Sequence, residues 1–421
     1  MSEVVRYKLS EFATITSSKR VHLSDYVEVG VPFYRSKEII ELANNQGISE
    51  TLFISEEKYN EIKNKYPVPQ IDDILITAVG TIGKIYLVKD VGFYFKDGNL
   101  IWIRDVNKEI ININYLYYFL NSPVFQSNII KNNIGAVQKA ITIDHLKSIE
   151  LDLPTLEAQN NISNILKNID QKIALNNQIN EELEAMAKTL YDYWFVQFDF
   201  PDENGNPYKS SGGKMVYNDQ LKREIPEGWG VRQLGEICEF RNGINYEKSE
   251  TGDTLSKIVN VRNISNSSTF VTTYDLDSIT LDRKRIESYL VTDKTILITR
   301  SGIPGATRIV SDIQPNTIYS GFIIGATVTN MNLFYYVFYH LKNIELLMSN
   351  QSAGTIMKNI SQTTLSEISI AIPNDEIQKK FSNQVCSLLD MIENNLKQNQ
   401  ELTQLRDWLL PMLMNGQVTV E

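Results

Sequence analysis

The sequence predicts an α+β protein: two pseudo-repeated, β-rich mixed α/β modules separated by two long helices that form an antiparallel coiled coil. Three observations predict it. Motifs in the first part of the chain recur about 220 residues later. Each copy ends in a long stretch whose apolar residues fall every seven positions. The segments between are short apolar runs bounded by Gly and Asp, the pattern of strands and turns rather than of a helical bundle.

The repeat rests on three anchors. Ile74-Leu75-Ile76-Thr77, followed by Gly80 and Gly83, returns as Ile296-Leu297-Ile298-Thr299, followed by Gly302 and Gly305. Gly135, Lys139, Ile141, Leu146, Ile149 and Pro154 return as Gly354, Lys358, Ile360, Leu365, Ile368 and Pro373. Leu9, Glu11 and Phe12 are answered by Leu234, Glu236 and Ile237. The offsets are 222, 219 and 225, and loop insertions produce drift of this size. The chain therefore divides into a first module (1–154), a long helix (155–200), a junction (201–230), a second module (231–373) and a second long helix (374–421).

In the first module the apolar runs over 71–76, 85–88 and 100–103 predict strands, and 113–120 predicts a short helix. In the second module 333–341 predicts another short helix. The Gly-x-x-Gly pairs shape a turn between strands; a phosphate-cradling loop would need a following Gly-Lys-Ser/Thr, which is absent. Along the first long helix, Ile162, Ile169, Asn176, Leu183 and Leu190 recur every seven residues. Phe381, Leu388, Asn395, Leu402 and Leu409 do the same along the second. A helix of about 38 residues spans about 57 Å at 1.5 Å per residue. It cannot bury such a seam alone, and the economical partner is the other copy. Thr155 and Asn374 stand at equivalent positions as N-caps, and Pro411 with Asn415-Gly416 punctuates the end of the second helix. Asn176 and Asn395 are each the third of five seam positions, so antiparallel pairing places them face to face as a polar pair fixing register. The alternative is that both face solvent or a partner subunit.

Composition narrows the function. Apolar residues make up 42% of 421 residues and charged residues 22%, ordinary for packed domains and inconsistent with wholesale disorder. No apolar run is long enough to cross a membrane, and the start of the chain lacks the basic-then-apolar pattern of a signal peptide, so a cytoplasmic location with no membrane partner is expected. Cys238 and Cys386 are too few for a disulfide framework or a cysteine zinc site, and His22, His145 and His340 show no ligand spacing. Net charge is −10, but the helical segments 155–200 and 374–421 carry −7 of it. The two modules are close to neutral, which leaves room for cations clustered on one face to meet a polyanion.

No catalytic constellation emerges. Asn121-Ser122-Pro123-Val124-Phe125 is interrupted relative to the Asn-Pro-Pro-Tyr motif of adenine methyltransferases, and no glycine-rich cofactor loop precedes it. Pro201-Asp202 lacks the Glu-x-Lys that would complete a nuclease motif, and Gly83-Lys84 and Gly213-Lys214 lack the rest of a P-loop. Cys238 has no partner base and reads as a buried structural thiol. With no acid, base and nucleophile brought together by any motif, the chain reads as a binding protein rather than an enzyme.

The junction carries a more specific signal. Phe198-Asp199-Phe200-Pro201, Gly205-Asn206-Pro207-Tyr208-Lys209, Ser211-Gly212-Gly213-Lys214-Met215 and Leu221-Lys222-Arg223-Glu224-Ile225-Pro226-Glu227-Gly228-Trp229 resemble the boundary between halves of the specificity subunits of type I restriction–modification systems. Leu405-Arg406-Asp407-Trp408-Leu409-Leu410-Pro411 with Asn415-Gly416 resembles that family's C-terminus, as Gly135-Ala136-Val137-Gln138 through Ile141 to Pro154 resembles the end of its modules. The first half lacks a Pro-x-Gly-Trp start, and Met357 stands where the first half has Gln138. The resemblance implies two target-recognition domains, each reading one half of a bipartite site in double-stranded DNA. It implies a helix pair that sets the spacer and docks two methyltransferase (modification) subunits, with a restriction/translocase subunit as a further partner. No cofactor is expected on this chain itself; S-adenosylmethionine, ATP and Mg would belong to the partners. The other function classes are a stand-alone DNA methyltransferase or nuclease, and a scaffold with no DNA role.

Base reading favours Arg, Asn, Gln and Lys on loops, whose side chains make paired contacts to guanine and adenine. The candidates are Arg35, Lys37, Gln138 and Lys139 in the first module. In the second they are Arg241, Asn242, Arg262, Asn263, Arg300, Arg308, Lys358 and Asn359. Phosphate contact or solvated surface is the competing role for each.

Overall fold

A computed structural model describes residues 4–44, 46–131, 140–247, 249–350 and 359–418. It is a mixed helix and sheet structure that clusters into two compact units. One comprises residues 1–174 and 399–421, the other 175–398. The boundaries fall inside the two long helices, Leu156–Tyr191 and Asp375–Met414, so each unit holds one module and a portion of both helices.

The first module is closed by its own ends. Val5–Lys8 pairs antiparallel with Glu150–Leu153, and Leu9 N–H donates to Ile149 O at 2.9 Å. Between them lies a four-stranded sheet in the order Thr14–Thr16, Leu100–Arg104, Ile74–Thr77, Ile85–Leu87. A second four-stranded sheet follows the order Tyr26–Val27, Leu52–Ile54, Val31–Tyr34, Tyr94–Phe95. The second module repeats the plan. Gly230–Gln233 pairs with Ser369–Ile372, and Leu234 N–H donates to Ile368 O at 2.8 Å. Its five-stranded sheet runs Cys238–Asn242, Ile323–Val328, Thr295–Thr299, Thr307–Ser311, Phe270–Thr272, beside a three-stranded sheet of Asp277–Leu281, Thr254–Val259 and Thr317–Tyr319.

Why the repeated strand is apolar without alternation follows from what covers it. In Ile74–Thr77, Ile74 and Ile76 enter one core cluster while Leu75 enters another, on the opposite face. In Thr295–Thr299, Ile296 and Ile298 face one cluster and Leu297 the other. Successive strand side chains point to opposite faces, so a strand covered on both sides must be apolar throughout. The turns that follow place Gly83 and Gly305 at φ +79° and +88°, a region that penalises a Cβ. The expected turn role of the glycine pairs is what the structure shows.

The helices begin as their caps predict. Ala158 N–H donates to Thr155 Oγ1 at 3.4 Å and Ile377 N–H to Asn374 Oδ1 at 2.9 Å. In the unit 175–398 the two helical segments run in opposite directions, since Asn180 meets Asn395 while Tyr191 packs on Phe381. Phe381 and Val385 of one segment and Leu183, Ala187 and Tyr191 of the other are buried in a single core. Asn395 Nδ2 donates to Asn180 Oδ1 at 2.8 Å, and Asn176 Nδ2 donates to Gln398 Oε1 at 3.4 Å. The sequence suggested a direct Asn176–Asn395 pair. These hydrogen bonds instead reach residues one helical turn along and bring Asn176, Asn180, Asn395 and Gln398 into one polar layer. In the other unit, Leu410 and Leu413 join the core with Ile162 and Leu166, and Arg406 bonds Asp170 at 2.9 Å.

The junction is folded rather than slack. Phe200 stacks on Tyr208 and on Trp229 at 4.7 and 5.2 Å, and Phe198 meets Trp229 edge-on. The Asp199 carboxylate accepts both Ser210 N–H and Ser210 Oγ–H at 2.7 Å. A hairpin of Met215–Asn218 and Arg223–Pro226 completes it. Cys238 is buried, and burial pushes its thiol up to about 12, so it is inert at neutral pH.

Candidate functional site

Each module gathers four loops at one end of its main sheet, and the two gatherings share a hydrogen-bond frame. In the second module, Gly305 N–H donates to Thr299 O at 2.9 Å and Ala306 N–H to Thr299 Oγ1 at 3.1 Å. Arg300 N–H donates to Phe322 O at 2.9 Å, and Ile360 N–H to Arg300 O at 3.1 Å. In the first module, Gly83 N–H donates to Thr77 O at 2.8 Å and Lys84 N–H to Thr77 Oγ1 at 2.9 Å. Ala78 N–H donates to Asn99 O at 2.8 Å, and Ile141 N–H to Ala78 O at 3.0 Å. Thr77 thus answers Thr299, Ala78 answers Arg300, Asn99 answers Phe322 and Ile141 answers Ile360. The frame is main-chain and threonine chemistry, so it constrains shape while leaving most exposed side chains free to differ.

The fourth loop locks in from the first strand of each sheet. Gly243 N–H donates to Ile323 O and Ile244 N–H to Tyr319 O, both at 2.9 Å, and Gly321 N–H returns a bond to Ile244 O at 2.8 Å. A side chain at Gly243 would collide with Ser320 O at 2.3 Å, so only glycine permits this approach. In the first module, Ser17 Oγ donates to Leu100 O at 3.0 Å and Ser18 Oγ to Phe95 O at 2.8 Å. Beside them Arg20, His22, Ser24, Lys96, Asp97 and Asn99 line an open cleft of about 660 Å³, with Arg20 paired to Asp97 at 3.2 Å.

The structure sorts the sequence candidates. Arg300 and Asn359 lie on adjoining loops of the second module, joined through the Ile360 N–H bond to Arg300 O, and Asn242 ends the first strand at the same end of the sheet. Arg300 Nη1 donates to Gly321 O at 3.0 Å, and Asn359 is exposed. Arg308 is a correction: it is only 8% exposed and spends its donors inside. Its Nε reaches Ser267 O at 2.6 Å, and Nη1 reaches Thr307 O at 2.7 Å and Glu345 at 2.9 Å, so it has no face to offer a groove. Asn263 is likewise committed, accepting Asn260 N–H at 2.8 Å and donating to Asp275 O at 3.3 Å. Arg35 caps the helix Ser36–Ala43 through Glu38, with Nη2 donating at 2.6 Å. Burial opposes the charge on Glu38, but the Arg35 bonds outweigh it and hold the carboxyl below its ordinary value. Lys37 lies 3.6 Å from Glu50, Arg241 pairs with Glu239 at 3.1 Å, and Arg262 pairs with Asp277 at 2.5 Å, all at exposed positions. Gln138, Lys139 and Lys358 lie outside the described residues. Sequence reasoning missed Arg20, Lys96, Asn99 and Phe322; the offset of 223 that aligns Asn99 with Phe322 lies outside the 222 and 219 of the flanking anchors, so only the shared main-chain bond equates them.

Among the described residues, no group of three or more His, Cys, Asp or Glu side chains is placed to hold a metal, and no helix is long and apolar enough to cross a membrane.

Two modules of one plan, each presenting one loop frame with its own side chains, define a tandem recognition protein. The chain belongs to the family described as type I restriction modification DNA specificity domain, which matches residues 1–185 and again 226–404. It is similar to the type I restriction enzyme MjaIX specificity subunit of Methanocaldococcus jannaschii, 26% identical over 352 residues, covering 83% of this chain and 78% of that protein. It is also similar to the type I restriction enzyme HindI specificity subunit of Haemophilus influenzae, 24% identical over 367 residues, covering 75% and 80%. In fold it resembles the crystal structure of a type I restriction–modification S subunit from M. genitalium, with a TM-score of 0.56 at 16% identity over 98% of this chain and 96% of that one.

Proposed function

We propose that this chain is the DNA-reading subunit of a type I restriction–modification complex. Each module reads one half of a bipartite target in double-stranded DNA through its four-loop end. The long helices pair as an antiparallel coiled coil that sets the spacing between half-sites and docks two methyltransferase subunits. The chain performs no chemistry itself: S-adenosylmethionine and the adenine-N6 transfer belong to those partners, and ATP and Mg to a restriction/translocase subunit where one is present.

The observation that carries this reading is the duplicated frame, in which Thr77 and Thr299 make the same bonds. The side chains around the two frames differ: Arg20, Lys96 and Asn99 around the first, Asn242, Arg300 and Phe322 around the second. Equal scaffolds with unequal side chains suit two readers of two different sequences, since positioning is shared while base contacts specify. The half-site spacing then follows from geometry, as for other DNA-binding proteins that carry two readers on one frame. The test is to map methylated adenines in DNA exposed to the methyltransferase subunits with and without this chain. Methylation confined to a two-part motif, and lost when the chain is omitted, is the expected result. Methylation of the same motif without the chain, or methyl transfer by the chain alone, would overturn it.

A further inference from the structure

The frame makes two positions in each module strictly comparable, and their occupants differ sharply. At the first, Ala78 is buried in one module and Arg300 is half-exposed in the other. At the second, Asn99 is half-buried and Phe322 is 65% exposed. In both modules the two positions are joined by the same main-chain hydrogen bond, 2.8 Å in the first and 2.9 Å in the second.

Two further features of the second module bear on what it presents. Arg300 is anchored by one Nη on Gly321 O, while its buried Nε, like the buried Oδ1 of Asn242, finds no partner among the described residues. Buried polar atoms without partners are costly and rare in folded proteins. Next to them stand two large apolar side chains facing solvent, Phe322 and the half-exposed Ile303. An anchored guanidinium beside an exposed ring matches what a base edge requires: a donor fork for guanine O6 and N7, and an apolar surface for a thymine methyl. The first module has neither group at these positions and offers instead the Asn99 amide, in the cleft with Arg20 and Lys96.

We infer that the joined positions 78/300 and 99/322 are specificity-determining, with Arg300 and Phe322 reading bases of the half-site of the second module and Asn99 reading a base of the half-site of the first. The inference rests on the DNA-reading proposal above. Phe322 is exposed and the Arg300 side chain makes a single hydrogen bond, so neither substitution opens a core.

The experiment uses the full complex with its methyltransferase subunits, comparing the unmodified chain, Arg300→Ala, Phe322→Asn and Asn99→Ala by sequencing methylated adenines across a randomised DNA pool. For Arg300→Ala and Phe322→Asn the motif should relax at one or two base pairs of one half-site, the other half staying intact, with methylation of the original motif slowed roughly tenfold or more. Asn99→Ala should relax the opposite half-site only. A uniform slowing across all sequences with an unaltered motif would reduce Arg300 to a phosphate contact and overturn the inference. So would an unchanged motif at an unchanged rate, for either pair of positions. If the unmodified complex gives no two-part motif, the DNA-reading proposal fails rather than the choice of residues.

Discussion

Asn395→Leu probes the polar layer of the paired helices. Asn180 is 8% exposed, and its Oδ1 accepts from Asn395 Nδ2 at 2.8 Å. Removing that donor leaves a buried carbonyl without it, at a cost of about 1–3 kcal/mol for a buried acceptor left unmet. The added leucine regains part of this by burying its own methyl groups. Replacing both residues removes acceptor and donor together and leaves Asn176 and Gln398 as the amides of the layer that remain. Asn180→Leu/Asn395→Leu should therefore be less destabilised than the sum of the two single variants by about 1 kcal/mol or more, the signature of a coupled pair. Denaturant titration of the four chains, followed by circular dichroism, closes the cycle. Strict additivity would show that the 2.8 Å contact carries no energy and that register is set elsewhere.

His340 predicts the acid limb of stability. Burial, aided by Arg223, lowers its pKa to about 4 from an ordinary 6.5, and Nδ1 shares a 3.1 Å hydrogen bond with Tyr191. The unfolded chain then binds a proton that the folded one refuses, so stability falls as the pH drops from about 6.5 towards 4, by about 3 kcal/mol at the bottom of the window. His340→Phe should flatten that limb relative to the unmodified chain, and an unchanged slope would reject it. Inserting one heptad at equivalent points of both long helices adds about 10 Å, or about 3 base pairs, to the target spacer without altering either half-site. An unchanged spacer at full activity would reject the ruler role.

Much of the architecture was legible in the sequence because it rests on local necessities. Turn glycines, a doubly covered Ile-Leu-Ile strand and paired N-caps each leave a residue-level mark, and their recurrence exposes the duplication. The site was less legible. Its frame is made of main-chain hydrogen bonds between loops far apart in sequence, which no residue type announces. Arg308 looked like a free cation because Glu345, its partner, lies 37 residues away. Arg35 carried a readable sign, since Glu38 three residues on already suggested a capping box. The seven-residue count located the helix amides to within one turn, and side-chain reach decided which of them meet.

The most direct test of the account is the exchange of residues 231–373 for the second module of a relative with a different target, followed by mapping of methylated adenines. One half of the recognised motif should become the relative's, while the other half and the spacer stay as they were. A change in both halves, or in neither, would contradict independent reading by two modules on one frame.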